Sequence, residues 1–201
     1  LHDPFEQAMR ERHVVPVCFV SSRTGAGVRA LNEFICKMLP NPLEGNVPRF
    51  VKGNGDEGET CDVVPDGSKP VLGHVFKISF DPFVGRQAVF RLYQGTIKKD
   101  AQVFLGDSRK GLKIGNLSSC LGKKLSDSAA AIPGDIMLIS KAEGFAYDAV
   151  MRDAHDDEDI QLEAAALPTP MVGISIAPKS RGDEQKIAEE LTKLTESDPC
   201  F

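Results

Sequence analysis

Three stretches of the sequence carry residue types that could do chemistry. Asp153 to Asp159 (Asp-Ala-His-Asp-Asp-Glu-Asp) gathers carboxylates around His155, donors suited to a hard cation. It lacks the Asp-x-Asp-x-Asp-Gly spacing and the loop glycine of a calcium site, so it reads as a solvated surface segment. Gly53-Asn54-Gly55-Asp56-Glu57-Gly58 matches G-x-G-x-x-G. No firm strand precedes it and no helical pattern follows. Two acids also stand where a pyrophosphate would bind, which rejects a dinucleotide site. His74 and His155 are the remaining candidates for acid–base work, but no nucleophile pairs with a base at a recognisable spacing. The sequence predicts no catalytic residue and no metal site.

The bulk composition agrees. The chain has 201 residues, 41% hydrophobic and 26% charged, enough for one or two domains with a real core. No run approaches the roughly 18 apolar residues of a membrane span, and Leu1-His2-Asp3-Pro4 is no signal peptide. With no initiator Met, the chain is expected to be a piece of a longer protein. Five scattered cysteines (Cys18, Cys36, Cys61, Cys120, Cys200) form no CxxC pair. They are expected to be reduced, mostly buried thiols of a cytosolic protein rather than disulfides or zinc ligands.

The net charge of −5 is unevenly spread. Residues 71–142 hold 11 Lys and Arg against 5 Asp and Glu, whereas residues 143–163 hold 1 against 8. A moderately basic stretch is a permissible nucleic-acid surface and equally an ordinary solvated one.

The elements that would position these residues fall into four segments. In residues 1–40, Phe5, Ala8, Met9 and Arg12 follow Pro4 at helical spacing. Val14 to Val20 reads as a short buried strand, and Val28, Leu31, Ile35 and Met38 form one face of a helix stopped by Pro40-Asn41-Pro42. Residues 41–70, rich in Pro, Gly and Asn, read as a linker or wrapping loop. Residues 71–162 change to short strands separated by turns. In the first, Leu72, Phe76, Ile78 and Phe80 alternate with His74, Lys77 and Ser79. Others are expected at Val89 to Tyr93, Gln102 to Leu105, Leu112 to Leu117 and Ile136 to Ser140. Such spacing with no intervening helix predicts a small closed β-barrel. Residues 163–201 return to α/β: a strand through Val172, Ile174 and Ile176, then a helix from Gly182-Asp183 with Ile187, Leu191 and Leu194 on its apolar face. The fold class is mainly β, a closed barrel flanked by partial α/β segments.

Three landmarks then resemble, in order, the elongation factor G family of translational GTPases. Pro16 to Val28, with Ser21-Ser22 in the loop, followed by Leu39-Pro40-Asn41-Pro42, is similar to the last strand, fifth guanine motif and exit helix of the GTPase domain. The family usually has Ser-Ala where this chain has Ser21-Ser22. Gly73 to Lys77, Asp81 to Arg86, Phe90 to Ile97 and Ile132 to Ile136 resemble the second, translation-factor-type barrel domain. Phe145 to Val150 replaces the family's Gly-Asp-Thr-Leu stretch. Pro168 to Met171, Ala177 to Lys179, Asp183 to Lys186 and Asp198 to Phe201 are similar to the first strand and helix of the ferredoxin-like third domain.

The resemblance implies a parent that binds GTP and Mg and hydrolyses GTP on the ribosome, with the barrel resting on small-subunit ribosomal RNA. This chain has no G-x-x-x-x-G-K-[ST]; its only Gly-Lys, Gly122-Lys123, is followed by Lys124, and Asn-Lys-x-Asp is absent. It is therefore expected to be inert toward GTP, holding no cofactor itself, with Ser21 and Ser22 as the residual edge of a guanine pocket. Charge and nearness to turns select Arg86, Arg91, Lys98, Lys99, Arg109 and Lys110 for phosphate contact. Neither DNA nor a membrane is expected as a partner. The alternative is a freestanding β-barrel module for RNA or protein.

Overall fold

The structure, a computed structural model, describes every residue except 1, 46, 54–57, 107, 123, 155–159, 164–166 and 181. Most of the acidic cluster, its His155, and the centre of the G-x-G-x-x-G match lie outside the described residues. The chain divides into two compact units, residues 1–47 and 48–201.

In the first unit, α1 (His2–Arg10) and α2 (Val28–Met38) form where the helical spacing predicts. Val14 to Val20 forms no strand: the segment carries no regular pairing, with Phe19 93% exposed. Its apolar content suits a buried strand, but among the described residues no second strand of this unit pairs with it, and a strand exists only through its partners. Ser21 to Gly27 is a turn. Gly27, at φ +76, precedes α2, and a Cβ there would stand 2.5 Å from the Phe19 carbonyl oxygen.

The second unit is mainly β. Its strands are β1 (Phe50–Lys52), β2 (Glu59–Thr60), β3 (Leu72–Asp81), β4 (Gly85–Gln94), β5 (Ile97–Lys98), β6 (Gln102–Leu105), β7 (Leu112–Lys113), β8 (Asn116–Leu121), β9 (Lys124–Asp127), β10 (Ala130–Ala131), β11 (Ile136–Ser140), β12 (Val150–Arg152) and β13 (Ile160–Leu162). Eight of them form one curled antiparallel sheet in the order β7-β6-β12-β3-β4-β11-β8-β9. That ladder has two ends, β7 and β9, rather than the continuous closure expected from the sequence. The two-strand piece β5–β10 sits apart from it in the pairing scheme. Single backbone bonds beside it knit it in: Ser128 N–H donates to Leu117 O at 2.9 Å, and Asp100 N–H to Ile114 O at 2.8 Å. Val75, Phe90, Leu92, Ile97, Ile114, Ile139 and Phe145 are buried in the concave core.

Residues 41–70 include β1 and β2. Within them β1 pairs with β13 and β2, and this small sheet carries a second core of Phe50, Leu72 and Val150, with Tyr93 packed against it. Covering the outer face of β3 explains why residues 71–75 are buried on both faces instead of alternating. A β-bulge between Val75 and Lys77 then flips the phase. Val75 and Ile78 point into the core, whereas Phe76, expected inside, is 37% exposed, and His74, expected outside, is 8% exposed.

Asp183–Ser197 forms α3 as predicted, but Val172 to Ile176 is not a strand, and Ile174 is 83% exposed. None of the five cysteines is buried: Cys18, Cys36 and Cys120 are exposed, Cys61 and Cys200 intermediate, which corrects the expectation of buried thiols. No helix among the described residues is long and apolar enough to cross a membrane.

Candidate functional site

The Ser21–Ser22 turn is held by its own backbone. Ser21 N–H donates to Ala26 O and Gly25 N–H to Ser21 O, both at 2.9 Å, while Thr24 N–H donates to Ser21 Oγ at 3.3 Å. Ser21's donor is thus consumed within the turn, and Ser22 is the exposed member of the pair. A nucleotide needs a phosphate cradle and a magnesium site besides a guanine contact. One exposed turn beside an exposed extended segment offers at most a guanine-side contact among the described residues.

The six basic candidates separate into three groups. Lys98 and Lys99 are exposed at the end of β5. Next to them the Asp100 Oδ1 carboxylate accepts from Lys113 Nζ at 2.9 Å. Lys113's hydrogen bond and charge hold the Asp100 carboxyl below its ordinary range. Sequence reasoning misses Lys113; its place beside β5 follows from the Asp100–Ile114 and Ile114–Ala101 backbone bonds.

Arg109 and Lys110 are exposed in the β6–β7 loop, shaped by Ser108: Ser108 N–H donates to Leu105 O at 2.9 Å and Lys110 N–H to Ser108 Oγ at 3.3 Å. By register this loop is the tip of the hairpin, while Lys98, Lys99 and Lys113 lie at its base. The structure therefore offers two basic spots at opposite ends of one hairpin.

Arg86 and Arg91 are not free surface cations. Arg86 has a side chain only 14% exposed; Nη1 binds the Glu196 carboxylate and Nη2 the Phe145 carbonyl. Its guanidinium also lies over the Phe80 ring, 5.7 Å from the centroid. Arg91 lies over Tyr93 at 5.5 Å. Charge and turn proximity select both from the sequence; in the fold Arg86 is engaged by Glu196 and Phe145, and Arg91 is half-buried against Tyr93.

His74 serves as a tie. Its Nε2 lies 2.7 Å from Asp148 Oδ1, joining β3 to the loop after β11. Asp148 occupies the left-handed region at φ +63, and its N–H donates to Val75 O at 2.8 Å. The replaced stretch Phe145 to Val150 is thus anchored to the barrel at both ends. Among the described residues no group of three or more His, Cys, Asp or Glu side chains is placed to hold a metal ion.

The comparisons decide what this curled sheet is. Residues 70–148 match the family described as Elongation factor G domain 2, and residues 167–201 match Elongation Factor G, domain III. The chain carries two domains of the elongation factor G family. The elongation factor G proteins of Chlamydia trachomatis serovars D and A are each 33% identical to it over 204 residues, and that of Chlamydia caviae is 30% identical over 202. Each alignment takes in 100% of this chain but 28% of the relative, so the chain spans little more than a quarter of these elongation factors. A crystal structure of a protein from Thermus thermophilus superposes with a TM-score of 0.73 at 29% identity, covering 99% of this chain and 27% of that one. The domain 2 match runs from just before β3 to the loop ahead of β12, and the domain III match contains α3. Lys98, Lys99, Arg109 and Lys110 all lie within the domain 2 match.

Proposed function

We propose that this chain is the ribosome-facing part of a translational GTPase, with the barrel as its docking element on small-subunit ribosomal RNA. The two elongation factor G domains in family order are the observation that carries this reading. The four exposed cations at the two ends of the β6–β7 hairpin support it, because phosphate contacts supply affinity without reading sequence. In this reading the barrel closes through β5–β10, residues 1–40 end a GTPase domain, 71–162 are the barrel domain, and 163–201 open the third domain. The small sheet built by β1, β2 and β13 makes 48–70 an outer layer of the barrel domain instead of a bare linker.

GTP and Mg belong in this scheme to the longer parent, which would bind and hydrolyse GTP in the cytoplasm. This chain contributes at most Ser22's backbone N–H to a guanine pocket and is inert alone. The catalytic step therefore lies outside these residues, and what they do is bind and orient. Co-sedimentation with small ribosomal subunits across a salt series tests the proposal. Binding that falls steeply with salt is expected; equal binding at low and high salt would remove the electrostatic footing.

A further inference from the structure

Arg86 joins three elements that are far apart in the chain. It lies in β4, stacks on Phe80 of β3, holds the Phe145 carbonyl in the loop after β11, and binds Glu196 in the last turns of α3. Its own carbonyl accepts from Ala142 N–H at 3.0 Å, so the loop is fastened at its start by the same residue. The Phe145 ring is a buried plug in the barrel core, 2% exposed. By contrast α3 has no buried residue, and Leu194 on its apolar face is 47% exposed. The helix meets the barrel along β3 with half-buried rather than buried apolar residues such as Ile187 and Leu191, and the ion pair adds a directed link.

We propose that Arg86 is a conformational clasp that makes docking of α3 and closure of the 142–149 loop interdependent. The guanidinium is a rigid planar fork, so one arm's partner sets the aim of the other. When Glu196 withdraws, a largely buried cation loses its counter-charge. Leaving it in place is costly, and the side chain turns toward water. Nη2 then leaves the Phe145 carbonyl, and the loop loses the donor that satisfies that oxygen. The position of the third-domain helix is thereby transmitted to a core-plugging loop of the barrel.

Amide hydrogen exchange on the 201-residue chain tests this. The reporters are the Ala142, Phe145 and Asp148 amides, which donate to Arg86 O, Ala142 O and Val75 O. Glu196→Ala is expected to accelerate their exchange by about tenfold or more, together with that of α3. Glu190→Ala, which removes an exposed partner of Lys193 on the same helix, is expected to leave them unchanged. Acceleration confined to α3, no acceleration, or an equal loop effect from Glu190→Ala would each overturn the clasp.

Discussion

Phe50 and Tyr93 meet edge to face, with ring centroids 5.3 Å apart and planes at 72°. Phe50 comes from a strand that sequence patterning does not reveal, and Tyr93 from the outer face of β4. Their contact fixes the small sheet onto the barrel. Phe50 is fully buried, so Phe50→Ala removes both the ring and the aromatic contact. A loss of about 3–5 kcal/mol in denaturant unfolding is expected. The barrel core itself lies on the other face of β3 and β4, so β3–β4 amides should stay protected while those of β1 and β13 lose protection.

The same contact sets an alkaline limit. Burial raises the Tyr93 phenol above its ordinary value of 10.0, and the Arg91 charge only partly opposes this. The folded chain therefore keeps this proton longer than the unfolded chain does. The contribution is complete below the ordinary value and is lost as pH rises through the folded one. Denaturation midpoints should fall as pH rises past the ordinary value of 10.0, and Tyr93→Phe should flatten that part of the profile. An unchanged slope in the variant would assign the loss to other groups.

Two glycines separate conformational from steric cost. Gly95 has φ +79, and a Cβ there would stand 2.6 Å from Val71 Cα and 2.9 Å from Lys69 O. Gly85 has φ +82 but open space around it. Gly85→Ala should cost about 1–2 kcal/mol, the left-handed penalty alone. Gly95→Ala should cost about 3 kcal/mol or more, because backbone must also shift. Chemical denaturation of the two variants under one set of conditions gives the comparison directly.

Sequence patterning recovers strands that carry several apolar residues between clear turn signals. Gln102–Leu105 and Ile136–Ser140 have the expected bounds, and α2 and α3 start and stop at their expected signals. It fails where the partner is distant. Val14 to Val20 and Val172 to Ile176 have strand-like composition, but composition does not provide a neighbouring strand. β1 pairs with β13 more than a hundred residues away, and two or three residues of apolar character are too few to announce it. The same reason governs the site. Lys98, Lys99, Arg109 and Lys110 are exposed as their turn positions suggest, whereas Arg86 is claimed by Glu196, which no local pattern links to it.

The Ser21–Ser22 turn bears on nucleotide binding. With Ser21's N–H bound to Ala26 O, the turn offers no cradle for phosphate. A titration with a fluorescent guanine nucleotide is expected to give no signal above background, with no hydrolysis. Saturable binding would contradict the assignment of nucleotide chemistry to the longer parent.

The most direct measurement is the salt slope of binding to small ribosomal subunits, taken for the chain and for the double variant Lys98→Glu/Lys99→Glu. If the barrel docks on ribosomal RNA phosphates through the base of the β6–β7 hairpin, the variant should bind more weakly and lose about two units of slope in log K against log salt. An unchanged affinity and slope would contradict the account.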